Sequence, residues 1–271
     1  MPGVPRFYPL FSLFLILSFI SLMQQSAANG FPSKTDTARR LAKNLPFLRR
    51  SQPSSNNPFS RLPSRSRPGG NNRQTAGTKL MSWSGRDLGS PLYDVVFIID
   101  ESGSIPLDQF NRGLSAIRLL IGDASLGTKF AAIKFSNKAR LLFNFVSPAQ
   151  AKTKLLNVPQ KGGSTNTQDA LKMARDLFLN PAASGHRQNA YRMAVVVTDG
   201  LSNVQPGQTI PQATQLKGIG TRVMVIAVGN YGASGRKEMK DIASYPPGEN
   251  LFFVDDFNDM YQITFMAINN I

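Results

Sequence analysis

Val95-Val96-Phe97-Ile98-Ile99-Asp100-Glu101-Ser102-Gly103-Ser104 is the stretch that decides how this 271-residue chain is read. Five consecutive apolar residues, β-branched or aromatic, predict a strand buried on both faces. That strand delivers the Asp100 carboxylate and the hydroxyls of Ser102 and Ser104, at alternate positions, to its C-terminal end. In open α/β sheets this edge is where ligands bind. Carboxylate and hydroxyl oxygens are hard donors suited to Mg²⁺, Ca²⁺ or Mn²⁺. Glu101 sits between them and is expected to point away from such an ion, because side chains alternate along an extended chain.

Outward from this stretch, apolar strand-like runs alternate with helical patterns. The alternation predicts a doubly wound, mostly parallel sheet with helices on both faces. Strands are expected at Tyr93–Ile99, Lys129–Phe135, Ala139–Phe145, Arg192–Thr198, Arg222–Val228 and Leu251–Val254. The second and third are joined by only Ser136-Asn137-Lys138, so the third should run antiparallel at an edge. Helical patterns fall at Leu107–Ile121, Pro148–Leu156, Thr167–Leu179, Ile210–Gly218, Arg236–Ala243 and Phe257–Ile268. In the last of these Phe257, Met260, Tyr261, Phe265 and Ile268 are expected to face inward.

Two further segments fall at strand or helix ends that such a sheet would bring beside Asp100. One is Gly162-Gly163-Ser164-Thr165-Asn166-Thr167, a glycine-rich loop entering a helix. The other is Val195-Val196-Val197-Thr198-Asp199-Gly200, a buried strand ending in an acid and a glycine. Taken together and in order, Asp-x-Ser-x-Ser, Gly-Gly-x-Thr-Asn-Thr and Val-Val-Thr-Asp-Gly resemble the metal-ion-dependent adhesion site of a von Willebrand factor A domain. The resemblance runs from about Tyr93 to Ile268. It implies that fold, and it implies that Asp100, Ser102, Ser104, Thr165 and Asp199 hold a divalent cation, Mg²⁺ foremost, with Mn²⁺ or Ca²⁺ as alternatives. Gly103 and Gly200 are expected to permit tight turns near the ion, and Thr167 to start a helix.

The resemblance further implies a binding module. A partner's Asp or Glu would displace a water and complete the coordination shell, the partner being an extracellular or matrix protein. The alternative is a structural, even biomineral, matrix protein whose ion mainly holds the loops. Enzymatic readings find little support. The only histidine, His186, lies in a polar loop and is expected to be solvent-exposed. No Gly-x-Ser-x-Gly elbow, phosphate loop or dinucleotide fingerprint follows a strand.

The N-terminal third differs in texture. Residues 1–28 read as a secretory signal peptide: Arg6, an apolar run from about Tyr8 to Met23, then Ser26-Ala27-Ala28. An uncleaved anchor is the competing reading; no second run is long enough to span a bilayer. Residues 29–90 are rich in Ser, Asn, Pro, Gly and Arg and carry a net charge of +10, against +4 for residues 91–271. Such a segment is expected to be disordered, apart from a helical turn or two between Thr37 and Leu48. It reads either as a solvated linker or as a basic arm for acidic polysaccharide or mineral, with Arg49-Arg50 as a weak processing signal. The domain itself is assigned to residues 91–271. Secretion argues against a nucleic-acid partner. There are no cysteines, which excludes thiolate metal sites, thiol nucleophiles and disulfide-linked oligomers.

Overall fold

The computed structural model describes residues 32–48 and 91–269; the expected signal peptide and most of the basic segment lie outside the described residues. The elements are α1 (Lys34–Asn44), β1 (Tyr93–Asp100), α2 (Leu107–Gly122), β2 (Thr128–Phe135), β3 (Ala139–Val146), α3 (Pro148–Lys154), α4 (Thr167–Leu179), α5 (Pro181–Ser184), β4 (Tyr191–Thr198), α6 (Thr209–Gly218), β5 (Arg222–Val228), α7 (Ala233–Ile242), α8 (Pro247–Asn250), β6 (Leu251–Val254) and α9 (Phe257–Asn269).

The six strands form one sheet in the order β3-β2-β1-β4-β5-β6. All neighbours are parallel except β2 and β3, which pair antiparallel at the edge. Central β1 is buried along nearly its whole length, as its unbroken apolar run requires. Its side chains alternate between two cores. Val95, Phe97 and Ile99 join α1, α2, α3 and α9 on one face. Val96 and Ile98 join α4, α6 and α7 on the other. The strand order reverses between β2 and β4, on either side of β1, and this switch point puts Asp100 at the middle of the sheet's C-terminal edge.

Three expectations need correcting. The helical turn or two expected between Thr37 and Leu48 is a full helix that starts earlier, at Lys34, and residues 32–48 belong to the core. Ser33 caps α1 by accepting a hydrogen bond from the Asp36 amide at 3.1 Å, a start signal of the usual kind. Leu41, Leu45, Phe47 and Leu48 are buried, and the Phe47 ring meets Phe130 edge-on at 5.6 Å. Lys34 pairs with Asp259 of α9, Arg40 donates to the carbonyls of Gly248 and Leu251, and the Ser125 amide donates to the Phe47 carbonyl at 2.8 Å.

The inward face of α9 is also rotated from the expected one. Phe257, Met260, Ile263, Thr264 and Ala267 are buried, whereas Phe265 is exposed and Tyr261 and Ile268 are half-buried. The expected set missed that α1 covers this helix as well as α2. Phe257 lies so close to α2 that a Cβ on Gly113 would come within 2.8 Å of its ring.

His186 is enclosed rather than exposed, its side chain sealed from solvent. Its Nδ1 lies 2.8 Å from Asp94 Oδ2, and Arg192 Nε donates to its Nε2 at 3.1 Å. The second bond needs an acceptor nitrogen, so the ring is neutral and donates from Nδ1 to Asp94. Desolvation of the enclosed ring holds its pKa below the ordinary value, against the pull of Asp94. Arg187 adds a two-pronged pair to Asp94. This network closes the N-terminal end of β1, at the opposite end of the strand from Asp100.

Candidate metal centre

Asp100 is the last residue of β1, and the chain turns sharply after it. Its Oδ1 accepts from the Ser102 amide at 2.8 Å, closing an Asx-type turn. Its Oδ2 accepts from Thr198 Oγ1 at 2.6 Å, across the neighbouring strand. Thr198 is held in turn by Tyr231, whose hydroxyl donates to the Thr198 carbonyl at 2.8 Å. Ser102 Oγ and Ser104 Oγ are 3.1 Å apart, and Ser104 Oγ donates to Asp199 Oδ1 at 3.0 Å. Four of the five expected residues therefore meet directly through Asp100, Ser102, Ser104 and Asp199.

Thr165 completes the group from the loop ahead of α4. Its Oγ1 would lie 3.7 Å from a Cβ on Gly200. Its carbonyl accepts from the amides of Asn203 and Val204, and its amide donates to Asn203 Oδ1 at 2.8 Å. The same loop is tied to the first motif by the Gly103 amide, which donates to the Gly163 carbonyl at 2.9 Å.

Glycine matters most in this second loop. Gly162 and Gly163 have φ of 69° and 112°, and a Cβ on Gly163 would collide with Asn137 Oδ1 at 2.7 Å. Gly103, whose Cβ would stand 3.4 Å from the Gly163 amide, and Gly200 both have ordinary room for a side chain and no left-handed φ. The expectation of tight-turn roles for Gly103 and Gly200 thus moves to Gly162 and Gly163. Thr167 opens α4 as expected, behind an Asn166 cap.

The sequence reading missed the scaffold beneath the site. Glu101 does point away from the ion position, into a buried pair with Lys134 Nζ at 2.9 Å. It also accepts from the Lys161 amide at 2.9 Å, and Lys134 donates to the Pro159 carbonyl. Gln160 donates to the Ile105 carbonyl at 2.7 Å, and Asn137 Oδ1 accepts from the Ser164 amide at 2.7 Å. These bonds link segments tens of residues apart, and no local pattern announces them.

The electrostatics fit a cation. Burial, opposed by hydrogen bonds from Thr198 and Ser102 and reinforced by Asp199, pushes the Asp100 pKa up to about 6. Burial also raises Asp199, against the hydrogen bond from Ser104. Two carboxylates face each other across serine hydroxyls without a basic side chain between them, which is the imbalance a divalent ion relieves. Among the described residues no group of three or more His, Cys, Asp or Glu gathers as a metal site. A cation here would depend on hydroxyls to supplement two carboxylates, a hard-oxygen donor set with few charges.

A sequence profile of the von Willebrand factor type A domain matches residues 94–265; the chain belongs to that family. Mouse integrin alpha-X is 33% identical over 180 residues, covering 63% of this chain and 15% of that protein. The human collagen alpha-5(VI) chain is 29% identical over 178 residues, covering 64% of this chain and 7% of that one. The chain thus spans a small fraction of the length of these relatives, and domains of this integrin and collagen type are typically binding modules without enzymatic activity. Among solved structures, proximal thread matrix protein 1 from the mussel byssus aligns with a TM-score of 0.58 at 20% identity, over 66% of this chain and 47% of that one. At that identity the likeness concerns the fold. One structure of the mussel protein is described as having a zinc-occupied MIDAS motif. Among the described residues no helix is long and apolar enough to cross a membrane.

Proposed function

We propose that this chain is a secreted adhesion module that binds a partner's carboxylate through a divalent cation held by Asp100, Ser102, Ser104, Thr165 and Asp199. The observation that carries this reading is the convergence of two desolvated carboxylates and three hydroxyls at the switch point of the sheet. Asp100 and Asp199 would supply the negative charge, the three hydroxyls neutral oxygens. With so few charges from the protein, the ion keeps enough Lewis acidity to draw one more anionic oxygen from outside. Ser104 is exposed, so that open direction faces solvent. The chain's own residues orient the donors: Thr198 and the Ser102 amide fix Asp100, and Asn203 fixes Thr165.

Mg²⁺ is the leading ion on donor hardness, with Mn²⁺ and Ca²⁺ as alternatives; the zinc in the mussel protein adds Zn²⁺ to the set to be tested. The integrin and collagen relatives support an extracellular or matrix partner. The N-terminal apolar segment supports secretion and reads as a removable signal. The segment from residue 49 to 90, beyond the docked helix, keeps the proposed role of a basic arm for acidic polysaccharide or mineral.

Calorimetric titration of the full chain with each ion, beside Asp100→Ala, tests the reading. One ion per chain in wild type and none in the variant is the expected result. Equal heats in both would sink it. A second reading, a matrix protein whose ion mainly stabilises the loops, is favoured by the direct stitching of all three loops to one another. It predicts ion binding with no chelator-sensitive partner.

A further inference from the structure

The sheet order fixes what surrounds the candidate ion. Asp100 and Asp199 end β1 and β4, in the middle of the row β3-β2-β1-β4-β5-β6. On one side lies the β2–β3 turn, with Lys138 exposed, and beside it Lys161, exposed just ahead of Gly162. Asn137 of that turn is bonded to the Ser164 amide and donates no charge. Neither lysine's ammonium is held in an ion pair among the described residues, although Glu101 accepts from the Lys161 amide and Asp169 from the Ala139 amide beside Lys138. On the other side, past β6, lie Asp255 and Asp256, both exposed. The pole therefore carries two exposed lysines at one edge and two exposed acids at the other, where half-buried Arg236 stacks on the Phe253 ring, with the ion position between.

Two large apolar side chains interrupt this polar surface. Leu107 is 60% exposed and Leu201 is 40% exposed. They follow Ser104 and Asp199 by three and two residues, and the Ser104–Asp199 hydrogen bond brings the two segments together. Neither leucine supports the core. Each leucine stands exposed within three residues of a site residue, where an apolar side chain of a bound segment would cover it.

We propose that this pole takes an acidic partner segment in one fixed direction: a coordinating Asp or Glu at the ion, further acids toward Lys138 and Lys161, and an apolar side chain against Leu107 and Leu201. The proposal rests on the carboxylate-binding reading and specifies its partner. Strands lie about 4.8 Å apart, so the basic edge is one to two strands, roughly 5–10 Å, from the line of Asp100. An extended partner advances about 3.3 Å per residue. Its supporting acids therefore fall two or three residues to one side of the coordinating residue. Reversed docking would carry those acids toward Asp255 and Asp256. Charges at such a rim select orientation and partner more than they add affinity.

The test uses immobilised nine-residue peptides with a central glutamate in a Gly/Ser background. Acid, base or leucine is placed at each other position, and the full chain is applied with Mg²⁺ or Mn²⁺, or with chelator. Wild type is expected to bind in a chelator-sensitive way, with at least a tenfold preference for acids two or three residues to one side and a gain from leucine near the centre. Lys138→Gln with Lys161→Gln should erase the charge preference, and Lys138→Glu with Lys161→Glu should turn it toward basic flanks; circular dichroism checks that each variant is folded. Chelator-sensitive binding that ignores flanking charge, or keeps the same preference in the glutamate variant, overturns the proposal alone. Binding that survives chelator, or no binding to any peptide, overturns it together with the carboxylate reading.

Discussion

Asp100 concentrates the conflict on which the site depends. Burial and the nearby Asp199 make its charged form costly, and its pKa rises to about 6. A proton and a cation therefore compete for the same oxygens. With a pKa near 6, the carboxylate is mostly ionised at pH 7 and mostly protonated at pH 5. Metal affinity should fall about tenfold between those values, read by calorimetry in matched buffers. The sign for stability is opposite in the metal-free chain: a raised folded pKa stabilises below the unfolded value, and that contribution is lost as pH rises through about 6. At the far end of β1, Asp94 meets His186 and Arg187 with its side chain fully enclosed. Asp94→Asn leaves those partners facing a neutral amide, and should cost on the order of 3 kcal/mol in urea denaturation. A loss below about 0.5 kcal/mol would show the network to be dispensable.

Among the elements, α1 departs most from expectation. It lies in a segment whose composition is that of a linker, yet it covers α9 and the end of the sheet. Its apolar positions were visible as Leu41 and Leu45, but the sequence reading began the helix at Thr37 and missed the Ser33 cap on the Asp36 amide. What the sequence could not show was the surface that receives them, because that surface is built by β6 and α9, more than 200 residues away. The rotated face of α9 has the same origin: a helix covered on two sides buries a wider stripe than one covered on a single side. By contrast α2 buries Phe110, Leu114, Ile117 and Ile121, and α4 buries Ala170, Leu171, Ala174 and Phe178, the apolar faces that helical spacing gives each. If α1 is integral, Leu45→Ala should destabilise the chain by roughly 2–5 kcal/mol, the range for a buried leucine whose cavity does not collapse. Chemical denaturation checks this. A change of a few tenths of a kcal/mol would return α1 to the status of a loosely attached arm.

At the scale of the whole molecule, the parts that could be read in advance are those with a short repeat. Continuous apolar runs predicted the parallel strands and put Asp100 at the end of one, but Ser102 and Ser104 lie in the turn after it, so that turn, closed by the Ser102 amide on Asp100, rather than strand alternation gathers their hydroxyls. The loops that meet them come from 60 to 100 residues further on, so their meeting depends on the order of strands rather than on spacing. The supporting residues, Glu101 with Lys134, Asn137, Gln160, Asn203 and Tyr231, depend on that order entirely. They hold the loops together through protein hydrogen bonds, while two carboxylates remain short of positive charge. The fold should therefore form without an ion and gain stability when one binds. At a free ion concentration one hundred times its dissociation constant the gain is about 2.7 kcal/mol. For a domain of this size, that raises Tm by roughly 5–10 °C. Thermal unfolding with Mg²⁺, Mn²⁺ and Zn²⁺ against chelator reads the shift. Asp100→Ala should remove the ion dependence while the chain still unfolds cooperatively. A wild-type chain that is unfolded in chelator would mean that the ion, and not the hydrogen-bonded scaffold, holds the three loops.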